Sequence, residues 1–589
     1  MSIWQSLKRW LDPSATLVDD TFSLGNRGEK PASEEQGAEM LSDARIRTES
    51  VLTRIDRLLE ASPQGPEALE KVGDLSDSLD ENLRRIRELF RLPDNKDLVI
   101  RDIIAATQPP TRAAVLFMEG LTNTEVINDH VLQPLMLLAH LDHHTGQGGE
   151  HGPTQPSVET VKLRLLPGNQ TSEKHDMASV VESLLMGDTV VLLDGNRTAL
   201  AVETKKPPTR SVGEPKNENV VWGPYDAFNE AVRTNIALVR RRLKDPRVVT
   251  ELLTVGEVSK TIVGLMYIDT IASPKLVAEA KRRIEAIKVD IVNGAGILEQ
   301  YIEDSPTSLL PSTLITERPD RAAAYLSEGH VALFVDNTPY AIVVPVTFWS
   351  LIQTAEDYYL RWPFGAILRY IRLTAILLAL TLPALYIGII NYHQEMIPTE
   401  LMLFIASTRE PVPMPAVVEL LVMDVAFELI REAGTRIPSV IGPTIGLVAG
   451  LVLGNAAVEA KIVSPLMIVV VAITGLSSFA IPNYLVGWGV RVMRFLLLAL
   501  SVVLGFFGVA AALFVLVVII AAQRSFGVPY LSPVAPTRGK IKDIFNRNPL
   551  YRMEERPPHL RTLDKKRQEK VVRSWDPLAS KSNPEEKGG

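Results

Sequence analysis

Four long stretches without a charged residue dominate the second half of the chain. They cover residues 373–390, 437–458, 462–490 and 495–523, which are 18, 22, 29 and 29 residues long. About 20 apolar residues are enough to cross a hydrocarbon core of about 30 Å. The pattern therefore predicts four membrane spans within residues 363–523. The last stretch is roughly 43 Å long as one helix, so we expect it to tilt, to project from the bilayer or to bend near Gly505 and Gly508.

An amphipathic segment lies between the first and second stretches. On a helix that starts at Pro415, four charged residues share one face: Asp424, Glu428, Arg431 and Glu432. The moderate hydrophobicity of this segment favours an interfacial or re-entrant helix over a lipid-exposed span. The alternative is an ordinary solvated helix with charge pairs between successive turns.

The second stretch carries glycine at every fourth position, namely Gly442, Gly446, Gly450 and Gly454. In lipid, such a ridge lets another helix backbone approach closely. The opposite face holds the residues that we predict to line a pore: Thr444, Val448, Val452, Asn455 and Glu459. Around a symmetry axis, Glu459 would attract cations at one mouth. Asn455 and Glu459 are equally well explained as residues that mark the helix end in the headgroup zone.

The first 362 residues have the pattern of an α/β protein. Two apolar hairpins, at residues 189–202 and 331–344, surround Asp-Gly and Asp-Asn turns, which are strong hairpin signals. Strands are also expected at 98–104, 112–118 and 261–268, and helices at 79–90, 123–138 and 274–287. A further helix that starts at Gly223-Pro224 would align Phe228, Val232 and Ile236 for a core.

These elements predict a mixed fold: a two-lobed α/β cytoplasmic region followed by a polytopic α-helical membrane domain. We expect a polar, partly helical N-terminal extension at 1–94, a first α/β lobe and linker at 95–150, and a second α/β lobe at 151–362. The helical membrane domain follows at 363–523, and a basic cytoplasmic tail at 524–589 ends the chain.

The chain lacks the patterns of an enzyme site. It has no cysteine, and no P-loop, nucleophile elbow or metalloprotease helix occurs. His140, His143, His144 and His151 lie in a glycine-rich linker that offers little to fix ligand geometry. Arg240-Arg241-Arg242 suggests phosphate binding, but a helix end that complements the macrodipole explains it better. We therefore expect no catalysis, no metal, no cofactor and no nucleic-acid partner.

The net charge of −7 and the mean hydropathy of +0.11 average three different regions. Residues 1–362 carry a net charge of −14, residues 363–523 a net charge of zero, and residues 524–589 a net charge of +7. Basic residues flank the first span and fill the tail. The positive-inside rule therefore places both termini in the cytoplasm, where the tail can meet anionic lipid headgroups.

Several motifs, in order, resemble those of the A subunit of the GerA family of bacterial spore germinant receptors, over about residues 95–550. They are Thr316-Glu-Arg-Pro-Asp320, Ala332-Leu-Phe-Val-Asp336, Glu356-Asp-Tyr-Tyr359, Ile441-Gly-Pro-Thr-Ile-Gly446, Gly454-Asn-Ala-Ala-Val-Glu459, Ser478-Phe-Ala-Ile-Pro-Asn-Tyr484 and Arg524-Ser-Phe-Gly-Val-Pro-Tyr530. The segment 221–228 departs from the more basic sequence of the family. The related sporulation protein SpoVAF shares most of these motifs.

The resemblance implies an oligomeric protein of the spore inner membrane that forms or gates a cation channel and so triggers germination. Its implied partners are further copies of itself, a transporter-like B subunit that binds the nutrient, and a C-subunit lipoprotein. The alternative is a non-conducting, SpoVAF-like auxiliary or scaffold subunit.

Overall fold

The computed structural model describes residues 73–105, 110–137, 161, 171–205, 213–436, 454–537 and 543–569. The helix predicted at 79–90 is present as α1 (Leu79–Leu89). Its residues Leu79, Leu83 and Ile86 are buried, and α1 packs against the first sheet. The end of the predicted N-terminal extension is therefore part of the first lobe, because the apolar face of α1 packs against the sheet of that lobe.

The first lobe is a five-stranded antiparallel sheet. Its strands are β1 (Leu98–Ala105), β2 (Thr111–Met118), β3 (Thr171–Lys174), β4 (Asp188–Leu193) and β5 (Ala199–Glu203). Their order across the sheet is β1-β2-β4-β5-β3. The helices are α2 (Thr124–Ile127), α3 (Gln133–Leu137) and α4 (Met177–Met186), and a π-helical turn at Asn128–Leu132 joins the first two.

The second lobe repeats this arrangement. Its strands are β6 (Val248–Val255), β7 (Thr261–Ile268), β8 (Leu314–Thr316), β9 (Val331–Val335) and β10 (Ala341–Val344). Their order is β6-β7-β9-β10-β8, which is the same order as in the first lobe when the strands of each lobe are numbered from one to five. Every pairing is antiparallel. The helices are α5 (Val232–Arg240), α6 (Pro274–Glu285), α7 (Ala295–Ile302) and α8 (Pro319–Glu328). The two predicted hairpins are equivalent elements, β4–β5 and β9–β10, of a duplicated fold.

Two predicted boundaries in this region differ from the structure. The first sheet contains strands from both sides of residue 150, so the division between the sheets falls between β5 and β6 rather than at that linker. The helix predicted from Gly223-Pro224 begins only at Val232. The segment before it is extended because its backbone bonds elsewhere: the Phe228 N–H donates to the Glu317 carbonyl.

A buried ion pair joins the two lobes. Arg240, at the end of α5, places Nε 2.7 Å from Oδ2 of Asp97, and both side chains are at most 3% exposed. Thr250 of β6 donates to the same carboxylate at 2.6 Å. The first arginine of the Arg240-Arg241-Arg242 run therefore connects the two lobes. Arg242 is also paired, with Asp226, at 2.6 Å.

The helical region follows two short helices, α9 (Phe348–Ile352) and α10 (Glu356–Tyr359). It consists of α11 (Trp362–Tyr392), α12 (Thr399–Arg409), α13 (Ala416–Arg436), α14 (Pro465–Phe479) and α15 (Tyr484–Ala522). Two of the described helices, α11 with 31 residues and α15 with 39 residues, are long and apolar enough to cross a membrane. The stretch predicted at 437–458 lies mostly outside the described residues.

The predicted third stretch, 462–490, is not one helix. Helix α14 ends at Phe479, and α15 begins at Tyr484. Pro482, which has no N–H to donate, lies in the break. Asn483 caps the new helix by accepting a hydrogen bond from the Val486 N–H at 3.1 Å.

Helix α15 reverses its direction at Gly505. This residue has φ 60° and ψ −140°, a conformation available almost only to glycine. Gly489 and Gln523 would be about 51 Å apart in one continuous helix. Yet a Cβ at Gly489 would lie 2.4 Å from the Leu309 carbonyl, and Gln523 donates to the Leu310 carbonyl at 3.0 Å. The predicted bend is therefore a hairpin, whose first arm spans 484–504 and whose second arm spans 506–522.

The chain returns from this hairpin to the second lobe. The short strands β11 (Arg524–Ser525) and β12 (Val528–Pro529) pair with each other, and Ser525 donates to the Ser312 carbonyl at 2.6 Å. Farther along, Asp543 pairs with Arg369 of α11 at 2.6 Å. The Leu563 N–H donates to the Ile271 carbonyl at 3.1 Å. The tail thus binds both the lobe and the start of the helical region.

Candidate functional site: a charged seam between the helices

Charged side chains of α13 face the neighbouring helices rather than solvent. Together with their partners they form a charged seam, which we define by these residues: Glu419, Asp424, Glu428, Arg431, Ser464, Ser478, Arg491 and Arg494. Helix α13 provides the first four, the α14 segment provides the two serines, and the first arm of α15 provides the last two.

Asp424 and Arg494 form the most deeply buried pair of the seam. Oδ2 of Asp424 lies 3.5 Å from Nε of Arg494, and each side chain is 2% exposed. Neither of these two atoms has a hydrogen bond among the described residues. The pair is therefore held by charge attraction, and an isolated charge would be costly at this place.

Glu428 and Arg491 lie one helical turn farther along the seam. Oε1 of Glu428 contacts Nη1 of Arg491, and Nε of Arg491 donates to the Gly487 carbonyl at 3.2 Å. The Arg491 guanidinium also lies 3.9 Å from the centre of the Trp488 ring. An arginine with a carboxylate, a carbonyl and an aromatic face as partners is well compensated for its burial.

Glu419 occupies the other end of the seam and is fully buried. Its Oε1 accepts hydrogen bonds from the Ser464 backbone N–H and from the Ser464 hydroxyl, the latter at 2.6 Å. Its Oε2 lies 3.9 Å from Nε of Arg409 and has no hydrogen bond among the described residues. Burial of a carboxylate oxygen without a hydrogen bond costs free energy when the carboxylate is ionised.

Arg431 closes the seam near the end of α14. It donates to the Ser478 hydroxyl at 2.5 Å, and its guanidinium lies 4.2 Å from the centre of the Phe479 ring. One turn before Ser478, Gly475 makes room for the ring of Phe427, which a Cβ there would meet at 2.3 Å. The small residue allows α13 and α14 to lie close together.

The outward face of α13 is apolar. Its exposed residues are Val418, Leu421, Val422, Val425 and Leu429, with Leu429 66% exposed. The helix thus buries its charges and exposes its apolar side chains, the reverse of a helix on a water-soluble protein. Of the residues predicted for the charged face, Asp424, Glu428 and Arg431 lie together in the seam, and Glu432 beside them is half-buried. These charged residues contact partners inside the protein, and whether the helix is interfacial, re-entrant or solvated stays a prediction.

Most of the predicted pore-lining and packing residues lie outside the described residues, namely Thr444, Val448, Val452, Gly442, Gly446 and Gly450. Gly454, Asn455 and Glu459 are described and lie on a short helical segment. Asn455 and Glu459 are exposed, and a Cβ at Gly454 would meet nothing within 4 Å. The pore role of Asn455 and Glu459 and the helix-packing role of Gly454 stay predictions. The four histidines at 140–151 also lie outside the described residues.

Sequence reasoning missed the two arginines that α15 contributes to the seam. Arg491 and Arg494 sit in an apolar stretch, and nothing near them in sequence indicates a partner. The available signal was their spacing: Asp424 and Glu428 are four residues apart, Arg491 and Arg494 are three, and both spacings place two charges on one helix face. Within the part of the chain that the structure describes, no group of three or more histidine, aspartate or glutamate residues could hold a metal ion.

Comparison with known proteins defines the family. The model of the Bacillus/Clostridium GerA spore germination protein matches residues 84–559. The chain therefore belongs to the GerA family.

Individual relatives cover most of the chain. It is 39% identical to the uncharacterized membrane protein YfkQ of Bacillus subtilis over 80% of this chain and 89% of the relative. It is 36% identical to spore germination protein KA of B. subtilis over 86% and 91%, and 36% identical to GerLA of Bacillus cereus over 84% and 98%. A solved structure, the N-terminal domain of the A subunit of the Bacillus megaterium spore germinant receptor GerK3, aligns with a TM-score of 0.36 and 31% identity over 47% of this chain and 98% of that one.

Proposed function

We propose that this protein is the A subunit of a spore nutrient germinant receptor in the spore inner membrane, and that its helical region forms or gates a cation path. The family match over residues 84–559 carries the assignment to a receptor subunit, and the inverted polarity of α13 supports a place for this helix in the membrane. Ionisable residues inside a membrane region are costly, and they are kept where ions or protons move or where helices must recognise one another. The proposed role is not enzymatic.

The proposed topology follows from the hairpin at Gly505. Helix α11 and the first arm of α15 each leave the second lobe, and the second arm returns to it at Gln523. The arms of 21 and 17 residues are about 31 and 26 Å long, which matches a hydrocarbon core. Helix α13, with 21 residues, is a further span whose apolar face meets lipid. Both lobes and the tail then lie in the cytoplasm.

This topology also agrees with the positive-inside rule. Arg491 and Arg494 follow Gly489, which packs on Leu309 of the second lobe. They therefore lie near the cytoplasmic end of their span, where basic residues are favoured. In a topology with a single span at 462–490, the same two arginines would lie outside.

A cation path would be assembled from several copies, with Val448 and Val452 facing the axis and Glu459 at one mouth. Its proposed partners are those of a receptor complex: a transporter-like B subunit that binds the nutrient and a C-subunit lipoprotein. A non-conducting scaffold of the SpoVAF type is the second candidate. It is favoured by the pairing of the seam: Asp424 and Glu428 each face an arginine, which leaves little net charge to attract an ion.

Single-cysteine labelling tests the topology directly, because the chain has no cysteine of its own. We expect a membrane-impermeant thiol reagent to reach Gln394→Cys, after the end of α11, and Val503→Cys, beside the hairpin tip, from outside cells that express the protein. Glu285→Cys, on the exposed face of α6, is the matched control that reacts only after lysis. Labelling of Glu285→Cys in intact cells, or of Val503→Cys only after lysis, would contradict the topology.

The number of copies in a detergent particle separates the two candidate functions. Native mass spectrometry of the purified full chain, alone and with its B and C partners, is expected to show several A copies. A strict monomer in every preparation would exclude an axial pore and would leave the scaffold.

A further inference from the structure

A cavity of about 520 Å³ lies where the second lobe, the segment before α11 and the tail meet. Its volume is in the range of pockets that bind small molecules. Helix α8 forms one wall, residues 347–359 form the second, and residues of the tail between 543 and 567 form the third. The cavity is separate from the charged seam, and none of its walls belongs to α13, α14 or α15.

Two side chains on these walls, His330 and Glu328, each leave one hydrogen-bond acceptor without a partner among the described residues. His330, which is 3% exposed, has its Nδ1 2.6 Å from the Pro345 carbonyl, so Nδ1 carries the proton and Nε2 is left as an acceptor. Nε2 has no hydrogen-bond partner among the described residues. Burial lowers the pKa of His330 to about 3, which keeps the ring neutral near pH 7.

Glu328 provides the second acceptor. Its Oε1 lies 3.1 Å from Nη1 of Arg567, while Oε2 has no hydrogen bond among the described residues. Burial raises the pKa of Glu328 to about 7; the Arg567 guanidinium opposes this rise, and Asp543 nearby adds to it. A bound cation would favour the ionised form of this carboxyl group and would gain a charge-assisted hydrogen bond from it.

The arginines on the walls already have partners. Arg321 pairs with Glu218 and donates to the Gln353 carbonyl at 2.8 Å. Arg556 donates to the Ser327 carbonyl at 2.9 Å and pairs with Asp564 at 2.8 Å. Arg567 donates through Nη1 to Glu328 at 3.1 Å, so each of the three arginines that line the cavity already bonds to a protein acceptor. Most of its remaining surface is apolar, and it includes the aromatic residues Tyr325, Trp349 and Tyr358.

We propose that this cavity binds a small organic cation, a protonated amine on an apolar body, whose ammonium group donates to Glu328 Oε2 and His330 Nε2. The apolar body would lie against the aromatic wall, which also favours a positive charge. Because the tail forms one wall, the bound amine fastens the tail to the second lobe. This inference does not depend on whether the protein conducts ions.

The test uses the purified full chain in detergent and three probes of similar shape: benzylamine, benzyl alcohol and benzoate. Isothermal titration calorimetry at pH 7.5 is expected to show benzylamine binding at least about tenfold more tightly than benzyl alcohol, the size of effect that a hydrogen bond to a charged group gives. Benzoate is expected to bind more weakly than both. Equal affinity of amine and alcohol, absence of amine binding, or tighter binding of benzoate would each overturn the proposal.

Two variants locate the binding. Glu328→Gln should remove the preference for the amine over the alcohol, while Glu285→Gln, an exposed carboxylate on α6, should keep it. Ala324→Leu fills the cavity from an exposed position of α8 without removing a contact, and it should weaken binding of both amine and alcohol. The melting temperature of each variant checks folding. A folded Ala324→Leu protein that binds benzylamine as before would place the site elsewhere and overturn the proposal.

Discussion

Asp424 of α13 and Arg494 of α15 face each other 3.5 Å apart, and each side chain is only 2% exposed. They are 70 positions apart in the chain, in segments that differ strongly in hydropathy. Their pairing makes α13 an integral part of the helical bundle. It also explains why two arginines can stand in the first arm of an otherwise apolar hairpin.

Removal of one partner of this pair should destabilise the protein strongly. Asp424→Leu leaves the Arg494 charge buried without a counter-charge, and such losses cost about 3–5 kcal/mol. The combined change Asp424→Leu with Arg494→Met removes both charges and should recover much of the stability. Thermal unfolding in detergent measures both effects. A single variant as stable as the unchanged protein would show that the two groups are not a buried pair.

Gly505 should tolerate no side chain. Gly505→Ala would force a non-glycine residue into a backbone conformation with φ 60° and ψ −140°, and its Cβ would lie 3.1 Å from Tyr392. We expect a loss of about 1–3 kcal/mol, measured by the same thermal unfolding.

Gly487→Ala is the matched control for the hairpin. Gly487 lies in the same helix, where a Cβ would meet nothing within 4 Å. Alanine should therefore be neutral or stabilise by up to about 1 kcal/mol, since glycine is a poor helix former. If the two alanine variants behaved alike, the reversal at Gly505 would be wrong.

Arg240 should matter for stability and its neighbour Arg241 should not. Arg240→Met leaves Asp97 buried without its partner between the lobes, with an expected cost of about 3–5 kcal/mol. Arg241 is exposed, and Arg241→Met should change stability by less than about 0.5 kcal/mol. If the two variants lost equal stability, phosphate binding would again be an explanation of this arginine run. A titration with inorganic phosphate would then test it.

Glu299 should make stability fall as the pH rises. Burial raises the pKa of this carboxyl group to about 7, and its neighbours are the Thr313 hydroxyl and the Glu303 carboxyl group. The folded state holds the proton more tightly than the unfolded state. Its contribution is therefore fully present below about pH 4.5 and is lost as the pH rises through about 7. Thermal unfolding of Glu299→Gln between pH 5 and 8 should show a flatter profile than the unchanged protein, and identical profiles would contradict this assignment.

Local signals in the sequence predict the elements well and their long-range partners poorly. The hairpins at β4–β5 and β9–β10 follow from apolar runs around turn residues, and the bend at Gly505 follows from glycine in an overlong apolar stretch. The shared strand order of the two lobes depends on how distant strands pair, which no local pattern encodes. The two arginines that α15 adds to the charged seam were missed for the same reason, because the segments that pack against a helix face decide what that face contacts. Asp424 finds its partner only after the hairpin brings Arg494 beside it.

Cation flux through the assembled receptor tests the central claim most directly. The full chain with the proposed B and C subunits, reconstituted in liposomes, should pass monovalent cations when the nutrient is added. Val448→Phe and Val452→Phe should reduce this flux, whereas Val517→Phe, at an exposed apolar position of the second arm of α15, should leave it unchanged. If no assembly conducted, the cation path would be contradicted. If all three variants conducted as the unchanged protein does, the placement of Val448 and Val452 at the axis would be wrong.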